Sequence, residues 1–198
     1  MSDNPDRRRM LQLSLAAIPG LLTMGKVNSA LAEHFAPPPA SGTGPEHDFD
    51  FFIGSWNVKH RRLKKRLAGN NEWEEFDGTT NCVSLLGGIA NMNDSVSYRS
   101  GASYRGLGLR AFDAKTNRWA DWTLSASDPL TIDAPGVGRF VNGIGTFLSD
   151  DTFDAKPIMV RGIFSSLSAT VAQWEQAYSP DAGKTWETNW VMRYTRTT

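Results

Sequence analysis

In one stretch of the sequence, residues 51–64, a histidine and an arginine, His60 and Arg62, lie two residues apart. Trp56, Val58, His60 and Arg62 share one face of an extended strand, because successive side chains of a β-strand point to opposite sides. An imidazole transfers protons near neutral pH, and a guanidinium binds an anion in a fixed geometry. If this face points inward, His60 and Arg62 form a candidate catalytic pair. A His60 that is solvated or bonded to a backbone carbonyl at the strand end is the alternative.

Acidic residues crowd the next predicted strand and offer partners for the histidine. We predict Glu75 and Asp77 as an inward pair that orients His60 or acts as a base. Together with His60 and Arg62 they are the candidate catalytic residues. A partly solvent-facing position for these acids is the alternative, because close carboxylates repel one another when they are buried.

Polar and aromatic residues on the other strands are the candidate ligand contacts. They are Tyr104, Asp121, Trp122, Arg161, Trp174, Glu175, Asn189 and Trp190. A cavity with this lining suits a mostly aromatic molecule with a few polar anchors. In the alternative interpretation, Arg161 faces outward and pairs with Glu175, and the aromatic residues are part of the core.

Short β-like segments separated by turn residues position these side chains. The predicted strands are 51–64, 72–83, 88–98, 103–112, 118–126, 136–141, 144–149, 157–166, 169–178 and 187–196. Clusters of Gly, Asn, Asp and Ser lie between them, as turns require. Ten antiparallel strands indicate a barrel or a sandwich, and closure into a barrel removes exposed sheet edges. We therefore predict an all-β fold, a closed antiparallel up-and-down barrel of about ten strands.

A short motif links the first strand to a known group of barrels. Gly54-Ser55-Trp56 forms a G-x-W motif on the first strand, and basic residues lie on the last strand. In this the chain resembles the calycins, the lipocalin and fatty-acid-binding group. The resemblance implies that Gly54 and Trp56 lie at the closed end of the barrel, where Arg193 or Arg196 stacks on the indole. The stretch from His47 to Arg196 is also similar to a bacterial calycin-like family of unknown function, which supplies no catalytic residues.

The first 46 residues differ in composition from the rest. Arg7–Arg9 precede an apolar run, and Ala30-Leu31-Ala32 fits a small-residue cleavage site. Residues 1–32 thus resemble a twin-arginine signal peptide, with an N-terminal membrane anchor as the alternative. Residues 33–46 are rich in Pro and Gly and are predicted to be a flexible linker before a barrel at 47–198. The mature protein is then periplasmic or secreted.

Charge and cysteine content exclude several classes of function. Removing residues 1–32 takes away four basic and two acidic residues, which leaves 17 Lys and Arg against 19 Asp and Glu, a net charge of −2. This charge argues against nucleic acid as a partner. Cys82 is the single cysteine, and no spacing of metal ligands is present. We expect no cofactor, no metal and no membrane span in the mature protein.

Residues 179–186, SPDAGKTW, match the Asp-box pattern S-x-D-x-G-x-T-W of sialidase-type propellers. A propeller needs repeated blades, and this box occurs once in a chain without a blade-length repeat. We therefore interpret the box as a tight turn with Trp186 packed beside it.

Two functions remain. The first is a cofactor-independent lyase, isomerase or cyclase that binds a small aromatic or hydrophobic molecule, with His60 moving a proton and arginines holding an anion. The alternative is a non-catalytic periplasmic carrier for such a ligand. A homodimer is compatible with either function.

Overall fold

The structure, a computed structural model, describes residues 42–197. Ten strands form one closed antiparallel barrel in which sequence neighbours pair and the last strand pairs with the first. They are β1 (Gly54–Leu63), β2 (Trp73–Leu85), β3 (Ala90–Arg99), β4 (Ala102–Asp113), β5 (Arg118–Ser125), β6 (Gly136–Val141), β7 (Ile144–Phe153), β8 (Lys156–Ser168), β9 (Val171–Ser179) and β10 (Glu187–Arg196). The predicted all-β up-and-down barrel is confirmed.

The predicted signal peptide at 1–32 and the linker as far as residue 41 lie outside the described residues. Pro45, at the end of the predicted linker, belongs to a short 3-10 helix, Pro45–His47, and its carbonyl accepts a hydrogen bond from the indole of Trp119 at 2.9 Å. Among residues 42–197, no helix is both long enough and apolar enough to cross a membrane.

Alternation and turn chemistry account for the strands. On β1, Trp56, Val58 and His60 are buried, and the residues between them are exposed. The β6–β7 hairpin turns on Asn142 and Gly143, which both have positive φ values, 52° and 77°. Asn-Gly is the preferred pair for such a two-residue turn, because its twist matches that of the flanking strands.

Aromatic side chains fill the end of the barrel at which β1 begins, which we call the closed end. Phe49, which precedes the 3-10 helix Asp50–Phe52, and Phe52, which ends it, are each 1% exposed. Around them pack Trp56, Trp119, Phe140, Phe147, Phe164 and Tyr194. The ring of Phe49 lies edge-on to that of Trp119 at 4.9 Å, a favoured aromatic geometry.

Arg196 closes this end from outside the aromatic cluster. Its guanidinium carbon lies 4.1 Å from the ring centre of Trp56. It also donates hydrogen bonds to the carbonyls of Ile53 at 2.7 Å and Phe51 at 2.8 Å. Gly54 has a φ of 121°, and a Cβ there would lie 2.5 Å from Nη1 of Arg196. The glycine of the G-x-W motif is thus required both for its backbone conformation and for the approach of the arginine.

The Asp-box forms the turn between β9 and β10. Asp181 accepts hydrogen bonds from the hydroxyl of Ser179 at 2.8 Å and from the backbone and hydroxyl of Thr185 at 2.8 and 2.7 Å. These bonds, above all those from Thr185, lower the pKa of Asp181 to about 2. The indole of Trp186 donates to the carbonyl of Gly183 at 3.0 Å. Because the polar atoms of the box bond to one another, its role is that of a turn.

Candidate functional site

His60 lies on the inward face of β1 and is 7% exposed. Its ring stacks on Phe76 of β2 with the centres 4.6 Å apart and the planes 10° apart. The indole Nε1 of Trp190 on β10 donates to Nδ1 of His60 at 3.3 Å. The imidazole is therefore held between its two neighbouring strands.

The surroundings of His60 favour the neutral ring. Burial, followed by the charge of Arg62, lowers its pKa to about 4, and Asp77 opposes this effect. On β2, Gly78 faces the imidazole, and a Cβ at this position would lie 2.7 Å from Nε2. A side chain at this position would also collide with the carbonyl of Val96, so the close approach of the imidazole to β2 requires the glycine.

Arg62 lies one inward position beyond His60 on β1, toward the end opposite the closed end, which we call the mouth. Its guanidinium carbon lies 4.6 Å from the ring centre of Trp190. Burial, followed by the charges of Arg66 and Arg99, lowers its pKa to about 10. Its Nε is buried without a hydrogen-bond partner, and no carboxylate of the described chain forms an ion pair with it.

Other charged groups surround Arg62. Arg99 forms an ion pair with Glu74 at 2.5 Å, and Arg66 donates to the hydroxyl of the buried Tyr178 at 3.2 Å. We call His60, Arg62, Arg66, Glu74 and Arg99 the mouth cluster. Its three guanidinium groups outnumber its single carboxylate, and that carboxylate is bound to Arg99.

Glu75 and Asp77 do not face the lumen, so the prediction of an inward acidic pair is wrong. Both are exposed, and Asp77 pairs with Lys59 on the outer wall at 2.6 Å. The inward residues of β2 are Glu74, Phe76 and Gly78. Alternate residues of a strand share a face, so Glu74, Phe76 and Gly78 lie on the same face as the apolar Cys82. This spacing is visible in the sequence.

Three predicted ligand contacts also lie on the outer wall, so the prediction that they line the cavity is wrong. Trp122 follows the inward Asp121 and pairs in register with Leu109, which is 36% exposed. Arg161 stacks on Trp186 of the Asp-box turn at 4.4 Å. Glu175 accepts a hydrogen bond from Gln173, which lies on the same outer face of β9, at 2.6 Å.

The remaining predicted contacts lie at different depths of the barrel. Trp174 and Trp190 meet edge to face inside it, with ring centres 5.7 Å apart. Asn189 is fully buried at a bulge of β10, between Thr188 and Trp190. Tyr104, close to the start of β4, is 50% exposed.

Asp121 belongs to a second group of polar side chains, near the closed end, that centres on Arg110. The guanidinium of Arg110 donates to Asn91 at 2.7 Å and to Asn93 at 2.5 Å. Its Nε lies 3.2 Å from Oδ1 of Asp121, as an ion pair whose angle does not make a hydrogen bond. Burial raises the pKa of Asp121, and Arg110 opposes this effect. We call these four residues the closed-end network.

The guanidinium of Arg110 also lies among aromatic rings. Its carbon is 5.1 Å from the ring centre of Phe164, 5.2 Å from that of Phe52 and 5.3 Å from that of Phe49. Arg110 is not among the residues predicted from the sequence, although its position two residues before the partly buried Phe112 on β4 indicates an inward side chain. Arg66 and Arg99 are not among them either, because both lie at or beyond strand ends, where the spacing gives no signal.

No family model matches the chain, and no curated protein matches it. Among solved structures, the S-type phycobiliprotein lyase CPES from Guillardia theta is similar, with a TM-score of 0.52 and 13% identity over 79% of this chain and 94% of that chain. EF1p2_mFAP2b bound to DFHBI aligns with a TM-score of 0.43 and 10% identity over 78% of this chain and 100% of that chain. The similarity to the lyase is one of fold.

Proposed function

We propose that the protein binds a small aromatic or hydrophobic organic anion in the mouth half of its barrel. The observation that carries this proposal is Arg62, an inward guanidinium with a buried Nε that has no partner among the described residues. A buried charge without a partner is costly, and a carboxylate, phenolate or sulfonate of a ligand would remove that cost.

The groups around Arg62 suit such a ligand. Arg66 and Arg99 add positive charge, and the ion pair of Glu74 with Arg99 leaves the cluster with an excess of guanidinium groups. The aromatic faces of Phe76 and Trp190 lie beside His60 and provide apolar contact area. Aromatic walls with a few convergent polar groups are typical of small-molecule sites. Similarity in fold to the phycobiliprotein lyase does not identify a ligand, so the proposed ligand class rests on these side chains alone.

Carriage without turnover is the function that this site supports best. Glu75 and Asp77, which would have supplied a base or oriented the imidazole, are on the outer wall. In this proposal the carrier acts in the periplasm or outside the cell, after export directed by residues 1–32.

Catalysis by a cofactor-independent lyase or isomerase is the second candidate, and the juxtaposition of His60 with Arg62 favours it. In that reaction the N–H at Nε2 of His60 and the guanidinium of Arg62 donate to the carbonyl oxygen of the ligand, and they stabilise the enolate that forms when water removes a proton from the adjacent carbon. A neutral histidine beside a cation is suited to polarising a carbonyl group.

A pair of fluorescent probes tests the binding proposal. The anion 8-anilinonaphthalene-1-sulfonate and its uncharged analogue N-phenyl-1-naphthylamine share one ring system, so their affinities for the full chain separate charge from aromatic contact. We expect tighter binding of the sulfonate. Arg62→Met is expected to lower the affinity for the sulfonate by about 10- to 100-fold, the equivalent of one charge-assisted hydrogen bond. The affinity for the neutral probe is expected to change little.

The outer-wall residue Arg61, which stacks on Trp73 at 4.3 Å, provides the matched control. Arg61→Met removes the same charge from the adjacent position and is expected to leave both affinities unchanged. Equal affinities for the two probes, or equal effects of the two substitutions, would refute the proposal.

Turnover is tested with phenylpyruvate, an aromatic anion with exchangeable methylene protons. Exchange is followed by NMR in deuterium oxide, with and without the protein. An acceleration that disappears in His60→Gln supports the second candidate. Binding of phenylpyruvate without acceleration supports carriage.

A further inference from the structure

The two groups proposed to hold the ligand, His60 and Arg62, share one neighbour, the indole of Trp190. The indole edge donates to Nδ1 of His60 at 3.3 Å. The indole face lies under the guanidinium of Arg62, 4.6 Å from its carbon. In register, Trp190 pairs with Arg62, and the next inward residue of β10, Met192, pairs with His60. One side chain therefore contacts both groups from the neighbouring strand.

The contact with the indole edge determines where His60 carries its proton. An indole N–H is a donor only, so Nδ1 of His60 must be the acceptor. A neutral imidazole has one donor and one acceptor nitrogen, and its hydrogen is therefore on Nε2. Nε2 has no hydrogen-bond partner among the described residues, and the lack of a side chain at Gly78 lets the imidazole pack directly against the backbone of β2.

Burial and Arg62 oppose the protonation of His60, and among the charged groups on the strands around it Asp77 alone favours it. On its own strand the nearest inward charge is Arg62, which is of like sign. On β10 the indole N–H would face a second N–H at Nδ1. On β2 the ring meets Phe76 and Gly78, while the carboxylate of Asp77 lies on the outer wall with Lys59. The inward carboxylate of that strand, Glu74, is bound to Arg99.

We infer that Trp190 is a positioning residue: it holds His60 as a neutral Nε2–H donor and supports the guanidinium of Arg62. The two groups then bind one ligand oxygen, a carboxylate, phenolate or enolate. This inference rests on the proposed function for the identity of the ligand, but not for the state of His60.

NMR of the full chain labelled with ¹⁵N-histidine tests the state of His60 without a ligand. His60→Gln identifies its signals among those of the three histidines of the sequence. We expect the Nε2–H tautomer at pH 7. Trp190→Phe keeps an aromatic ring but removes the N–H, and is expected to give mixed tautomers and a higher pKa of His60. Trp174→Phe, a similar change at the neighbouring indole, is expected to leave the tautomer as it was.

Binding of 8-anilinonaphthalene-1-sulfonate supplies the second readout. Trp190→Phe is expected to lower the affinity for this anionic probe by about 10-fold, the equivalent of one ordinary hydrogen bond. The affinity for N-phenyl-1-naphthylamine is expected to fall less. If Trp190→Phe does not fold, the tautomer in the unmodified chain still decides the inference.

The inference is overturned by an Nδ1–H tautomer in the unmodified chain, or by a tautomer that Trp190→Phe leaves unchanged. An Nε2–H tautomer in a protein that does not prefer the anionic probe keeps the positioning role and refutes the proposed function. The two failures are thus distinguishable.

Discussion

Two arginines point into the same barrel, one at each end, and they differ in what surrounds them. Arg110 at the closed end is 4% exposed, donates to two asparagines, faces Asp121 and lies among three phenylalanine rings. Arg62 at the mouth has one indole face and no carboxylate partner in the described chain. The first has two hydrogen-bond acceptors and a carboxylate beside it, and the second has neither among the described residues.

This difference separates a structural role from a binding role. A buried charge stabilises a fold only when other groups satisfy it, and its removal then leaves those groups unpaired. The closed-end network meets this condition and joins β3, β4 and β5 to the aromatic cluster below it. The guanidinium of Arg62 does not meet it, so its contribution is expected when a ligand is present.

The largest effect is expected from Arg110→Met. This substitution leaves Asp121, Asn91 and Asn93 buried without their cation, which costs about 3 to 5 kcal/mol for a broken buried pair. Urea unfolding at pH 7 measures the change. The double variant Arg110→Met/Asp121→Leu removes both charges and is expected to recover a large part of the loss. A single variant that loses less than about 1 kcal/mol would remove the distinction between the two arginines.

The next effect is a dependence of stability on pH that originates at His60. Its pKa is about 4 in the folded protein against an ordinary value of 6.5. In the unfolded chain His60 is protonated as the pH falls below 6.5, whereas in the folded chain it stays neutral down to about pH 4. The folded state is therefore destabilised relative to the unfolded state as the pH falls through this window. The loss approaches about 3 kcal/mol at its lower end.

His60→Gln removes this one contribution and leaves the other titrating groups in place. The difference in unfolding free energy between the unmodified chain and the variant is therefore expected to shift by about 2 to 3 kcal/mol between pH 7.5 and pH 4.5. Parallel pH profiles of the two proteins would mean that His60 titrates as a solvated group.

Without ligand, Arg62→Met is expected to change the free energy of unfolding less than Arg110→Met does. Removing a charge that lacks a partner relieves its burial cost, while the contact with the Trp190 face is lost. The free energy of unfolding is expected to stay within about 1 kcal/mol of that of the unmodified chain, as measured in urea. A loss equal to that of Arg110→Met would identify Arg62 as a structural residue.

The sequence predicted the strands better than the site. The ranges 136–141 and 187–196 coincide with β6 and β10, because turn residues mark both ends of each strand. On β1 the apolar Trp56 and Val58 indicate which face is inward. Acidic residues on both faces of β2 give no such indication near Glu75, and apolar residues on both faces of β8 give none near Arg161. Arg99 ends β3 and Arg66 lies beyond β1, where the alternation of a strand no longer indicates the direction of a side chain.

The smallest effect is expected on the affinity for the anionic probe, when two neighbouring glutamates that face opposite sides of β2 are substituted in turn. Glu74 is 19% exposed and paired with Arg99, whereas Glu75 is exposed on the outer wall. Glu74→Gln removes the one carboxylate of the mouth cluster and frees Arg99 for a ligand. It is expected to strengthen binding of 8-anilinonaphthalene-1-sulfonate by about threefold, the size of a partly exposed charge interaction. Glu75→Gln, an identical change one residue away, is expected to have no effect on that affinity. If the two variants bind the probe equally, the anion is not held on the inward face of β2, and the contrast between the two ends of the barrel has another cause.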